Sequence, residues 1–220
     1  MKKKVLLAGV LMVLVGCGGG GGGGGANLDP KDVAEKAKHP TGTLTQENVD
    51  DVVNEFVELL TAEEGIPSVP GGLAPQTEYC YGDICCDVTE NSVKCDCSVS
   101  GSVSAHVPSG CTSDCTIEYS YNNCAFDEEC AIDGDGAVWM SSLTGGEMAY
   151  SFSGTVCGQP VDIAYYFDGT DMWYVVEVNE ETFAVRGEYS NGYGWVYIKD
   201  STGEEYHCTI VNDEVTCEGL

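Results

Sequence analysis

Two periodicities divide this chain. Between residues 29 and 64 apolar side chains recur every third or fourth position, the repeat of a helix face. From Thr77 onward they recur every second position, the repeat of a half-buried strand. Asp29-Pro30 supplies an N-cap and a first-turn proline, which predicts a short helix through Lys38. Thr43-x-x-Gln46 reads as a capping box for a second helix. On it Val49, Val52, Val53, Phe56, Val57 and Leu60 share one face, with Asp50, Asp51, Asn54, Glu55 and Glu58 opposite. Gly65 and Pro67 end it. Its apolar stripe needs a cover: the chain's own sheet, or a partner helix.

Pro67 to Pro75 is a Pro/Gly-rich connector. Val93, Cys95, Cys97, Val99, Val103, Ala105 and Val107 then alternate with a serine-rich set running from Ser92 to His106. That predicts one long strand with a wet face, bent or bulged at Gly101. Further strands are predicted near 115–122, 136–142, 147–156, 161–167, 172–178, 182–189, 193–199, 204–211 and 214–218. Gly145-Gly146, Asp168-Gly169, Asn191-Gly192 and Asn212-Asp213 supply turn chemistry between them. The expected fold is mostly β and disulfide-rich, with a short N-terminal helical segment. Its antiparallel meander closes as a barrel or packs as a two-sheet sandwich.

The N-terminus changes where this domain is expected to live. Lys2-Lys3-Lys4 precede an apolar run from Val5 to Val15, a secretory pattern too short to span a membrane. The run closes on Leu14-Val15-Gly16-Cys17: an aliphatic residue, a tolerant position, Gly, then Cys. This segment resembles the bacterial lipoprotein signal. The resemblance covers residues 1–17 and implies cleavage before Cys17 and acylation of its thiol by fatty chains such as palmitate. An ordinary cleaved signal with an incidental cysteine is the competing reading. A single acyl chain holds marginally at about 0.8 kcal/mol per buried methylene, whereas two or more hold stably.

Gly18 to Gly25 form an unbroken glycine run, a random-coil tether of about 16 Å. Gly18 follows the cysteine where an Asp would favour inner-membrane retention. The resemblance therefore implies an outer-membrane address, with the domain facing the periplasm or the cell surface. The organisation expected is a signal peptide at 1–16, lipidated Cys and tether at 17–28, and a helical segment at 29–64. A linker at 65–76 and a β domain at 77–220 complete it.

Losing three of the nine basic residues with the signal leaves six against 36 acidic ones, a formal charge of −30. Nucleic-acid binding needs a basic footprint, and there is none. Anionic lipid should repel the domain, although salt screens this beyond about 8 Å. The expected partners are thus the membrane through its lipid anchor, and a glycan or another envelope protein. Composition leaves oligomeric state open.

Twelve cysteines follow Cys17, an even number behind an export signal, which reads as disulfides. Cys95-x-Cys97 and Cys111-x3-Cys115 lack the second half of a zinc site. The turns make three pairs legible. About Asn212-Asp213, Cys208 falls opposite Cys217 at a non-hydrogen-bonded position, with Cα atoms about 4.5 Å apart. The same arithmetic about Gly82-Asp83 sets Cys80 against Cys85, and about Glu90-Asn91 it sets Cys86 against Cys95. Spacing leaves the other six unassigned. Residues 77–130 carry nine cysteines and five aromatics, residues 131–220 three and fourteen. Crosslinks are expected to replace a thin core in the first half.

Candidate chemistry is sparse. His39, His106 and His207 stand in no catalytic pattern, and neither a GxSxG elbow nor an HExxH helix occurs. No enzyme and no cofactor are expected, and a secreted hydrolase is the last of the functional alternatives. Asp133-Gly134-Asp135-Gly136 lies among Asp127, Glu128 and Glu129. An EF-hand fails, because Ala137 and Thr144 fill its fifth and twelfth positions. A tight acidic turn and a non-EF calcium loop held by Asp133 and Asp135 both remain.

The Asn191-Gly192 hairpin pairs Arg186, the only arginine, with Tyr197 and Glu188 with Trp195, with Tyr193 in line. Flat rings beside charges suit carbohydrate stacking; an internal Arg–aromatic pair, or a face covered by the helix of residues 46–62, is the plainer reading. The expected function is therefore a lipid-anchored envelope protein with a non-catalytic binding or structural role. A carbohydrate-binding module on this strand face is the alternative.

Overall fold

A computed structural model describes residues 29–62, 78–81, 84–89, 91–111, 113–125, 130–142 and 146–218. Cys17, its tether, the 65–76 linker and Asp127–Glu129 lie outside the described residues. Helix α1, Pro30–Lys38, starts where Asp29 accepts a hydrogen bond from the Lys31 N–H. Helix α2 covers Val49–Ala62. Its capping box closes two residues later than expected. Asn48 Oδ1 accepts from the Thr45 N–H at 2.8 Å, while the Thr43 hydroxyl is engaged with Ser201. Thr43 is drawn away because residues 41–44 form a strap along the sheet. Thr41 and Gly42 donate to the Thr182 carbonyl, and Leu44 donates to the buried carboxylate of Asp200.

Among the described residues thirteen antiparallel strands follow in sequence order: β1 Glu78–Tyr81, β2 Ile84–Val88, β3 Ser92–Asp96, β4 Ser100–His106, β5 Ser113–Ala125, β6 Ala131–Ser142, β7 Met148–Val156, β8 Gln159–Phe167, β9 Met172–Val178, β10 Glu181–Ser190, β11 Tyr193–Lys199, β12 Glu205–Val211 and β13 Glu214–Cys217. Positive φ at both central residues of Asn191-Gly192 and Asn212-Asp213 gives the turn that matches strand twist. The single long strand expected over 92–107 is instead the β3–β4 hairpin, pairing Ser92 with His106 and Asp96 with Ser102. Odd residues pair with odd ones there, so the alternation runs through the turn undisturbed. The irregularity expected at Gly101 does occur, between Ser100 and Ser102 in the β4–β5 ladder.

The meander does not close as a barrel; among the described residues β1 and β13 remain its two edges. It bends at β9. Met172 to Tyr174 pair with β8, whereas Tyr174 to Val178 pair with β10, so one strand serves two sheet segments. Inner faces from β3 to β12 meet in one cluster, and α2 inserts Val52, Val53, Phe56 and Leu59 into it. The stripe of α2 is thus covered by the chain's own sheet. Helix α1 lies on the outer face, with Val33, Ala34 and Ala37 against Ala149, Ala164, Tyr166, Trp173 and Ala184.

Scarce cations pin α1 to an acidic sheet. Lys31 pairs with Asp114 at 2.7 Å, Lys36 with Glu177 at 3.8 Å and Lys38 with Glu147 at 2.7 Å. The Lys38 hydrogen bond holds the Glu147 carboxyl below its usual value of 4.5. A carboxyl depressed on folding stabilises at neutral pH and loses that contribution as pH falls through the folded value. Glu147→Gln is therefore expected to cost roughly 0.5–1 kcal/mol at pH 7, discounted for exposure. Urea midpoints of the two proteins should converge below the usual carboxyl value of 4.5.

Five disulfides fall among the described residues. Cys86–Cys95 and Cys208–Cys217 join directly opposed residues, with Cα atoms 3.8 and 3.9 Å apart. Cys80 and Cys85 are opposed in the register, with their side chains outside the described part. Cys97–Cys124, Cys111–Cys115 and Cys130–Cys157 complete the set.

Candidate functional site

Asp133 and Asp135 do not form a turn. Both stand inside β6, on its exposed side. The Asp135 carboxylate accepts from the Ser120 hydroxyl, and Asp133 Oδ2 accepts from the Asn123 N–H at 3.0 Å. They bridge the β5–β6 irregularity between Tyr121 and Cys124. Gly136, next along β6, is a glycine for a packing reason: a Cβ there would collide with the Tyr119 ring. Among the described residues no three His, Cys, Asp or Glu side chains converge as a metal site. The histidines lie apart, His39 at the C-cap of α1, His106 on β4 and His207 on β12.

The aromatic strand face is built largely as expected in register and differently in use. Arg186 stands opposite Tyr197, and Tyr197 opposite His207 on the next strand. The Arg186 guanidinium sits 4.6 Å from the Tyr197 ring centre and 4.7 Å from that of Trp173. His207 stacks on Tyr197 from the β12 side, centroids 4.8 Å apart. Both faces of Tyr197 are thereby covered by its neighbours, which leaves none for a ligand ring. Arg186 is further held by Asp171 at 2.8 Å and Glu205 at 3.7 Å. Tyr193 lies at the hairpin tip, 55% exposed, and its hydroxyl donates to Asn212. The helix of residues 49–62 covers the opposite, inner side of these strands.

Trp195 and Glu188 belong to a different feature. β9 and β10 stop pairing at Tyr174 and Val185, yet β10 continues on β11 to Ser190. The two strands therefore part, and a cleft of about 570 Å³ opens between them. Strand parity sorts its lining. Leu60, Met172, Tyr174 and Tyr189 lie on the core side, while Asp171, Arg186, Glu188 and Trp195 lie on the outer side. Two glycines account for the parting. A Cβ at Gly187 would collide with the Trp195 carbonyl, and one at Gly194 with the Glu188 carbonyl. Their absence lets β10 and β11 coil tightly together, which draws β10 away from β9.

The other wall is fixed by its turn. Asp168 accepts from the N–H groups of Thr170 and Asp171 at 2.8 and 2.9 Å. Burial pushes the Asp168 carboxyl up, but those N–H groups outweigh it and leave its pKa below the usual value. Asp171 is thereby held at the mouth, where Arg186 meets it. On the far side the Tyr189 hydroxyl donates to Asp213 at 2.7 Å. The Glu188 side chain makes no hydrogen bond or ion pair among the described residues, and Met172 is 40% exposed.

Sequence reasoning placed Arg186, Glu188 and Trp195 on one face. It missed Leu60, Asp171, Met172, Tyr174 and Tyr189, because the gap arises where two ladders of unequal length diverge. Gly187 and Gly194, small residues at strand-interior positions, were the available signal. No family model matches this chain, and neither a curated protein nor a solved structure matches it.

Proposed function

We propose that this is a lipid-anchored, non-catalytic binding protein of the bacterial envelope. Acylated Cys17 holds it at the outer membrane, and the β9–β10 cleft is its binding site. The observation that carries the reading is Leu14-Val15-Gly16-Cys17 behind a basic and apolar leader. Eight glycines and a disulfide-stapled sheet suit an oxidising location beyond it. A cleft with an apolar floor and a few charges at its rim is the usual form of a recognition site. Among the described residues that line it no nucleophile, base and orienting group meet, so binding without turnover fits best.

Expression of the full-length chain with radiolabelled palmitate tests the anchor. Label is expected on the wild-type protein in the outer-membrane fraction, and Cys17→Ser should carry none and leave the membrane. A serine variant that still took up label and sedimented with membrane would overturn it.

A further inference from the structure

We propose that the β9–β10 cleft receives an extended peptide segment of another exported protein. The segment adds as a strand to the free edge of β10. This deepens the binding-protein reading and rests on it, while being independent of the anchor.

The backbone is the first ground. Among the described residues Arg186 to Tyr189 line the cleft and are paired with β11 on one side only, since β9 has left the other. In an antiparallel ladder every second residue turns its N–H and C=O toward the same neighbour. About two of these four residues therefore present both groups to the cleft. A free edge of this kind is what an added strand uses, and its main-chain bonds supply affinity without regard to sequence.

Side chains give the second ground. The lining is apolar toward the core and charged toward the outside, in the order of strand parity. An incoming strand likewise sends alternate side chains to opposite faces. Apolar residues would meet Met172, Tyr174, Leu60 and Tyr189, and intervening residues would meet Glu188, Asp171 and the Trp195 ring. Arg186 already neutralises much of Asp171, whereas Glu188 has no cation among the described residues. The outward positions of the ligand are therefore basic. A mature charge of −30 adds long-range attraction for such a segment.

A glycan is the competing occupant. It would use the Trp195 ring and the carboxylates but would set hydroxyls against Met172, Tyr174 and Leu60, which offer few partners.

The test uses the mature chain and two capped heptapeptides, one alternating valine with lysine and one alternating valine with glutamate. Titration calorimetry is expected to show binding of the lysine peptide and none of the glutamate peptide. Glu188→Lys should weaken the lysine peptide about tenfold or more, as loss of a paired charge does. Met172→Asp, on the opposite side, should weaken it comparably. Amide exchange of Gly187 and Tyr189, whose N–H groups the Asn191-Gly192 hairpin register turns away from β11, should slow in the complex. A third peptide with proline at alternate positions, unable to donate to a ladder, should not bind.

Equal binding of both charge types would overturn the proposal, as would binding that leaves those amides unprotected or no binding at millimolar peptide. An oligosaccharide bound by wild type and lost in Trp195→Ala would replace the peptide with a glycan. Loss of palmitate label with intact peptide binding would strike the anchor alone.

Discussion

Phe56→Ala is expected to lower the stability of the domain by about 3–5 kcal/mol, the range for deleting a buried aromatic ring. The side chain is fully buried and meets the Tyr174 ring edge-on at 5.6 Å. Around it Val52, Val53 and Leu59 share a cluster with Tyr165, Phe183 and Val185. A 14-residue helix has little stability alone, so α2 persists because this face is covered. Domains of this size have about 5–15 kcal/mol in total. The variant should therefore lose near-ultraviolet ellipticity and unfold at a much lower denaturant midpoint. Asp50→Ala, on the wet face, should stay within about 0.5 kcal/mol of wild type. A loss below about 1 kcal/mol for Phe56→Ala would mean that α2 is not wedged into the sheet.

What the sequence shows of this fold is local. Asn191-Gly192 and Asn212-Asp213 admit the left-handed backbone of a two-residue hairpin, so register follows from counting outward. Cys208 opposite Cys217 and Cys86 opposite Cys95 are consequences of that counting. The β3–β4 turn escaped it because a hairpin that pairs odd residues with odd ones leaves the alternation of Val93, Cys95, Val103 and Ala105 unbroken. Cys97–Cys124 escaped for another reason: Gly101 signals an irregularity in β4, but the register it sets against β5, with Ser100 opposite Ala125 and Ser102 opposite Asn122, is fixed by contacts distant in the sequence.

The same division runs through the candidate site. Cross-strand pairing of Arg186, Tyr197 and His207 was a matter of register, but which ring faces stayed free depended on three strands together. The cleft depended on β9 leaving β10, which follows from glycine-to-carbonyl approaches across β10 and β11. Short-range chemistry thus fixes neighbours, and differences in ladder length decide where a sheet opens.

Reduction of the disulfides should unfold the first half of the sheet ahead of the second. Cys97–Cys124 and Cys130–Cys157 each join residues 27 apart. Closing a loop of that length removes roughly 3–4 kcal/mol of unfolded-state entropy in the chain-entropy account. The two together are worth about 7 kcal/mol, comparable to the whole stability of a domain. Cys86–Cys95 and Cys111–Cys115 add shorter closures to the same region. Among the described residues, what remains there without them is small: Val93, Val103, Ala105, Val107, Ile117 and Ala125, with one fully packed ring, Tyr119. From β7 to β12 the core instead holds Tyr150, Phe152, Tyr165, Tyr174 and Phe183, and α2 packs against it. Among the described residues Cys208–Cys217 is the one crosslink wholly within this half; it lies at its end and closes a span of 9 residues, while Cys130–Cys157 ties its first turn to the start of β6. Hydrogen exchange after treatment with dithiothreitol should therefore show residues 92–125 exchanging fast while residues 160–199 keep protection. Simultaneous loss of protection in both stretches would show that the crosslinks do not substitute for packing in the first half. The reverse order would show that the aromatic cluster is the weaker part of the core.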